Sequence, residues 1–325
     1  MKIRPRRLRL NSSIRDLISE SSVSSNDLIY PIFLTNEQEG REEISSMPGQ
    51  FRHSRKSLIE SIKEWEKLGL KGVCLFPKIE EKNKNSTGSF SYSPKNYYLD
   101  RIKELKDKFP NLLLMSDVAL DPYSCDGHDG IVDHKSGKIL NDETLEVLSK
   151  MSIAQAKAGV DIIGPSDMMD GRVERIRTDL NGEGFQETLI MSYSAKYASN
   201  YYGPFRDALD SAPKFGDKKT YQMDMRNSRE ALKEATLDSI EGADILMVKP
   251  GIAYLDIVSA LKQNFHQPVS VYQVSGEYAM IKLGAKEGFF DETQMMLENL
   301  IAFKRAGADI ILSYFSIDAL RLLND

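Results

Sequence analysis

The chain has 325 residues, 41% of them hydrophobic and 28% charged, with 43 basic against 48 acidic side chains for a net charge of −5. That is the composition of an ordinary globular chain, and its acidic balance argues against a nucleic-acid binder, which relies on basic surface. Only two cysteines occur, Cys74 and Cys125, which excludes a disulfide framework and a four-thiolate structural zinc site.

The cysteine usage points to a reducing, intracellular compartment, and a cytoplasmic protein is expected. No apolar run approaches the roughly 18 residues that a membrane-spanning helix needs, so no membrane partner is expected. The charge is unevenly distributed. Residues 1–15 carry six basic side chains and no acid, leaving 37 bases against 48 acids, or −11, in the remainder.

In chain order, residues 1–27 are basic and then Ser-rich, with no core pattern, and read as an arm. Eight short apolar runs follow: Leu28–Leu34, Gly72–Lys78, Leu112–Leu120, Val160–Asp167, Thr188–Lys196, Asp244–Gly251, Val269–Ser275 and Asp309–Phe315. Unbroken Val, Ile and Leu suit strands buried on both faces, the habit of parallel sheets. Helix-period segments lie between them, among them Ser57–Leu68, Asn141–Ala158 and Ser228–Glu241. Three end alike, in Ala158-Gly159-Val160-Asp161, Glu241-Gly242-Ala243-Asp244 and Ala306-Gly307-Ala308-Asp309, each offering a glycine to close a helix before a strand. Alternating strands and helices predict the α/β class and a (β/α)8 TIM barrel over residues 28–325, preceded by an extended N-terminal arm. A doubly wound sheet would carry a Gly-rich phosphate turn, and no GxGxxG or Walker sequence is present.

Catalytic groups of such barrels collect at the C-terminal ends of strands. Those positions hold Lys78, Asp117 and Asp121, Ser166 and Asp167, Lys196, Lys249, Ser275 and Tyr314. Two lysines ending neighbouring strands stand out. Like charge and an apolar wall both favour the neutral amine, which attacks a ketone to form a Schiff base. The same spacing also suits lysines that snorkel to solvent.

After the third strand, Asp117, Asp121, Cys125, Asp126, His128 and Asp129 crowd into 13 residues. They suit a Mg²⁺-like or Zn²⁺ ion, or a turn whose carboxylates cap backbone amides. A basic and aromatic stretch, Tyr201–Asp224, follows the Lys196 strand and reads as a lid over an anionic substrate. Loops of that kind also bind RNA or face water, but an acidic body makes nucleic acid an unexpected partner. His53, His134 and His266 have no partner spacing and read as surface residues. Cys74 reads as a core thiol.

Met247-Val-Lys249-Pro-Gly251, with Glu241–Asp244 before it, resembles the porphobilinogen synthase (5-aminolevulinate dehydratase) family. So do Arg4–Arg9, Pro165–Arg172, Ser192–Lys196, Gly203–Ala208, Tyr221–Asp224, Tyr254–Val258, Tyr272–Met280, Lys304–Asp309 and Ser313–Phe315, in family order. The resemblance implies a barrel that condenses two 5-aminolevulinate molecules into porphobilinogen, an early step of tetrapyrrole synthesis. It implies Schiff bases on Lys249 and Lys196. Ser275 and Tyr314 would bind one substrate carboxylate, and Arg206, Lys218 and Gln222 the other, under a lid of about 197–222, with Ser166 near the reacting end.

Zinc-dependent members hold three cysteines where this chain has Ala119, Asp121 and Asp129. The resemblance is therefore to the aspartate-rich branch. A three-cysteine zinc site is not expected, and a monovalent or divalent cation is expected at Asp117, Asp121 and Asp129. Glu234 matches the ligand of an allosteric Mg²⁺. The arm matches a segment that wraps a neighbouring subunit in a homooctamer, with hexamers and dimers as other forms. As the RPRRLR motif begins at residue 4, no presequence is expected before it. A one-lysine Schiff-base aldolase and a barrel kept only for assembly are the competing readings.

Overall fold

The computed structural model describes residues 1–324. Eight parallel strands form the barrel: β1 (Leu28–Leu34), β2 (Gly72–Pro77), β3 (Leu113–Val118), β4 (Ile162–Pro165), β5 (Leu189–Lys196), β6 (Ile245–Lys249), β7 (Val269–Gln273) and β8 (Ile310–Ser313). Each pairs with the next, and β8 closes on β1 through Leu28↔Ile311 and Ile29↔Leu312. Each predicted apolar run contains one of these strands, because both faces of each are covered, one by the barrel interior and one by the helical layer.

The repeated Gly-x-Asp endings seat helices on strands. Gly159, Gly242 and Gly307 close their helices at φ of 105°, 103° and 112°, a left-handed backbone open to glycine at little cost. The aspartate two residues on then does two things each time. Asp161 accepts the Leu114 N–H at 2.8 Å and pairs with Lys106 at 2.7 Å. Asp244 accepts the Ile190 N–H at 2.7 Å and pairs with Arg177 at 2.6 Å. Asp309 accepts the Val269 N–H at 2.8 Å and pairs with Lys262 at 2.7 Å. One short sequence thus ties a strand, its neighbour and a helix together at three places around the barrel's lower rim.

Two small additions were not legible as periodicity. Residues Arg41–Glu43 and Phe51–His53 form an antiparallel pair joined to the end of β1, and Ile131–Asp133 pairs with Lys138–Leu140 in the loop after β3. Three-residue strands are too short to show a repeat. Among residues 1–27 none is buried; a short 3-10 turn (Pro5–Arg9) and one short helix (Ser12–Leu17) lie exposed, and Asp27 meets Lys304 at 2.8 Å where the barrel begins. Among the described residues, no helix is long and apolar enough to cross a membrane.

One side chain reverses its expectation. His53 is not at the surface but 3% exposed, its ring edge-on to Trp65 and its Nδ1 3.0 Å from Ser57 Oγ. Burial pulls its pKa down to about 4.

Candidate active site

Lys196 ends β5 and Lys249 ends β6, and the two face each other in the parallel ladder. Just before them β5 carries one extra residue: Leu246 pairs with Ser192 but Val248 with Ala195. This bulge matters because strand side chains alternate faces. Without it Tyr193 and Lys196, three apart, would point opposite ways; with it both ammonium groups lie over the Tyr193 ring, Lys249 Nζ at 4.9 Å and Lys196 Nζ at 6.0 Å from its centre.

Lys249 is 6% exposed and stands in an aromatic cage, its Nζ 4.3 Å from the centre of Tyr272, 5.2 Å from Phe205 and 5.5 Å from Tyr202. Among the described residues it has no carboxylate partner in ion-pair range. Burial, and secondly the neighbouring Lys196 ammonium, pull its pKa down to about 7, so a large share of neutral amine is present near neutrality. Asp117, at the end of β3, is pushed up to about 7 by burial and by Asp121 beside it.

Lys196, 7% exposed, has polar company instead: its Nζ lies 3.2 Å from Asp129 and donates to the Ser166 carbonyl. Asp129 in turn accepts from Lys218 at 2.6 Å, and Lys218 reaches Asp121 at 3.3 Å. Burial works against the Asp129 charge, but Lys196 and Lys218 outweigh it and hold its pKa at about 2.

Arg206, Lys218 and Gln222 come together with both lysines around a cleft of about 30 Å³, room for a water or two, which opens through the same three residues into a vestibule of about 940 Å³. The Oε1 of buried Gln222 has no hydrogen-bond partner among the described residues, which leaves an acceptor free beside the cleft. On the Lys249 side, Ser275 opens the helix Ser275–Lys286 and its Oγ accepts the Phe205 N–H at 2.9 Å. Tyr314 hydroxyl meets that of Tyr272 at 3.1 Å, and its ring stacks on Phe33. Every expected active-site residue therefore lies at this end of the barrel. Glu234 lies apart, half-buried on the helix Arg229–Glu241 beside a cavity of about 300 Å³ that Asp170, Asn141 and Glu230 also line.

The aspartate loop differs from its expectation in one respect. Asp121 and Asp129 are engaged by the Lys218 ammonium, and among the described residues no three His, Cys, Asp or Glu side chains converge as metal ligands. In this arrangement the loop does not fit a metal. Both ring nitrogens of His128 are also engaged, with Tyr221 Oη and the Phe215 carbonyl, each at 3.1 Å. The cage residues Tyr193, Tyr202, Phe205 and Tyr272 were missed as a group. Three of them, Tyr193, Phe205 and Tyr272, sit in the resembling motifs, but their convergence depends on the bulge and on the lid.

A closed β/α barrel with two buried lysines at adjacent strand ends beside a cleft points to the class of β/α-barrel enzymes. Comparison with known proteins agrees. The delta-aminolevulinic acid dehydratase family matches residues 2–322. The chloroplastic delta-aminolevulinic acid dehydratase of Glycine max is 51% identical over 323 residues, covering 98% of this chain and 77% of the relative. Delta-aminolevulinic acid dehydratase 1, chloroplastic, of Arabidopsis thaliana is 51% identical over 97% of this chain and 73% of its own length. The Toxoplasma gondii enzyme, solved with its reaction product porphobilinogen, superposes with a TM-score of 0.97 at 49% identity, covering 99% of this chain and 92% of that one.

The chain belongs to the delta-aminolevulinic acid dehydratase family. It is a lyase that condenses two 5-aminolevulinate molecules into porphobilinogen. The expected cytoplasmic location is overturned, since these plant relatives are chloroplastic enzymes. A low cysteine content does not single out the cytoplasm.

Proposed function

We propose that the two substrates react as imines on Lys249 and Lys196, one on each. The observation that carries this is the in-register pairing of two buried lysines at adjacent strand ends. Each ketone loses its oxygen as water when an amine adds and the carbinolamine dehydrates, and the imine carbon is a better electrophile than the ketone it replaces. Lys249 begins with the advantage, being nearer its neutral form at physiological pH. Ser275 and Tyr314 bind the carboxylate of the substrate on Lys249. Arg206, Lys218 and Gln222 bind that of the substrate on Lys196, with Ser166 at its reacting end. Two bound reactants then meet without the entropy cost of a bimolecular encounter.

Lys218 has a second role in this reading. It is already paired with Asp121 and Asp129, so it is shared between those carboxylates and the incoming one. A monovalent or divalent cation at Asp117, Asp121 and Asp129 would have to displace Lys218. The chain falls in the aspartate-rich branch on the residues at 119, 121 and 129. Glu234 shares its cavity with the carboxylates of Asp170 and Glu230, and it is the proposed protein ligand of a Mg²⁺ that keeps most of its waters. Its effect is allosteric: the same helix carries Asp238, which pairs at 3.0 Å with Arg172, six residues after Ser166. A basic arm on a −11 body supports assembly of copies, with a homooctamer as the proposed form, and the plant relatives support a plastid as the compartment.

Borohydride reduction with 5-aminolevulinate should leave adducts on both Lys249 and Lys196, read by peptide mass. An enzyme that makes porphobilinogen with Lys196 unmodified and dispensable would overturn the two-imine reading. Native mass with residues 1–15 removed tests the arm, and a smaller assembly is expected. Mg²⁺ should raise the melting temperature of EDTA-treated protein, and less so after Glu234→Gln.

A further inference from the structure

The lid is held by two different structures. Its first half is pinned to the barrel body. Tyr202 hydroxyl donates to the Tyr197 and Lys249 carbonyls at 2.8 and 3.2 Å, Ser275 Oγ takes the Phe205 N–H, and Arg52 reaches the Ala208 and Asp207 carbonyls at 2.6 and 2.9 Å. The second half, residues 211–221, meets the aspartate loop. Lys214 N–H donates to the Asp126 carbonyl at 3.0 Å, and a Cβ on Gly127, which sits at φ +71°, would run into the Ala212 carbonyl. Phe215 packs its ring 4.9 Å from that of His128.

The hydrogen bonds at His128 fix its chemistry. The Phe215 carbonyl only accepts, so the proton sits on Nε2. In the neutral ring Nδ1 then accepts, so the Tyr221 hydroxyl donates to it, and the Tyr221 oxygen accepts the Asp129 N–H at 3.3 Å. The chain Asp129 N–H, Tyr221 O–H, His128, Phe215 C=O runs from a buried end at Asp129 to an exposed one at Phe215, and each member has a partner.

We propose that His128 and Tyr221 are positioning residues that clasp the second half of the lid to the aspartate loop and so assemble the Lys196 half of the site alone. Tyr221 lies one residue from Gln222 and three from Lys218. Holding it sets those two side chains against Asp121, Asp129 and the second substrate's carboxylate. Lys249, Ser275 and Phe205 depend on the pinned first half and need no clasp. Gly127 serves the clasp by leaving room for the Ala212 carbonyl. The proposal rests on the two-imine reading and adds that, apart from Arg206 on the pinned first half, the two halves are built separately.

The test is borohydride trapping with 5-aminolevulinate on full-length parent, Tyr221→Phe and Gly127→Ala, mapping adducts at each lysine and measuring KM and kcat. Tyr221→Phe removes one hydroxyl that makes two bonds. It should cut the Lys196 adduct and raise KM by about tenfold, a size suited to one or two part-buried hydrogen bonds, while the Lys249 adduct stays within about twofold of parent. Gly127→Ala should give the same asymmetry through the lid backbone. Equal losses at both lysines, or no loss at either, would overturn the clasp. If the parent itself forms no Lys196 adduct, the two-imine reading fails instead.

Discussion

Lys249 and Lys196 stand opposite one another on adjacent strands, and the molecule surrounds them in opposite ways. Around Lys249 are four aromatic faces and, among the described residues, no carboxylate within ion-pair range; around Lys196 are a carboxylate, a carbonyl and, one step further, a second ammonium on the same carboxylate. Two buried like charges at this spacing are costly. Giving a partner to one and withholding it from the other makes one lysine an amine ready to react and leaves the other compensated. The aromatic faces soften the cage, because they attract the ammonium form weakly without supplying a full charge.

Substitutions can break this asymmetry. The largest effect is expected from Lys249→Met, which should lower kcat at least ~10³-fold through loss of the nucleophile while the protein folds with an unchanged or higher melting temperature, since an apolar chain replaces a buried amine. Asp129→Asn strips the shared acceptor from Lys196 and Lys218 together; chemical denaturation should show a loss of about 3–5 kcal/mol, the usual cost of leaving a buried charge unpaired. The third test is pH. The rate of adduct formation at Lys249 should rise about tenfold per unit below pH 7 and level off above it, as the neutral fraction of the amine saturates near its pKa of about 7. Lys196→Met removes the nearby positive charge, so the bend should move to higher pH; a bend that stays put would leave burial alone as the cause. The smallest effect is expected from Tyr272→Phe, which keeps the ring face over Lys249 and loses only the bond to Tyr314; adduct formation should change less than about threefold.

The barrel was readable because each strand is covered on both faces, which leaves an uninterrupted apolar run such as LIYPIFL. The lysines were readable because a lysine ending such a run is out of place. What stayed hidden depends on contacts between segments far apart in sequence. Lys218 finds Asp121 across 97 residues, and Lys196 finds Asp129 across 67. A metal-like cluster of aspartates and an aspartate cluster neutralised by a distant lysine look the same in one dimension. The bulge in β5 hid the aromatic cage for a related reason, as strict alternation assigns Tyr193 to the wrong face. His53 is buried against expectation because Ser57 and Trp65, four and twelve residues further along, supply surroundings that no spacing announces.

The pairing of Lys249 with Lys196 across one ladder step also sets a length. Neighbouring strands lie about 4.8 Å apart, a spacing fixed by backbone hydrogen bonds and not by any side chain. Two small molecules tethered through equal lysine arms at that interval are held on the scale of a five-membered ring. Lysines placed on alternate strands would roughly double the interval to about 10 Å, too far to close such a ring. The barrel thus acts as a ruler whose single graduation is the distance between strands, and the size of the product is written into the sheet before any substrate arrives.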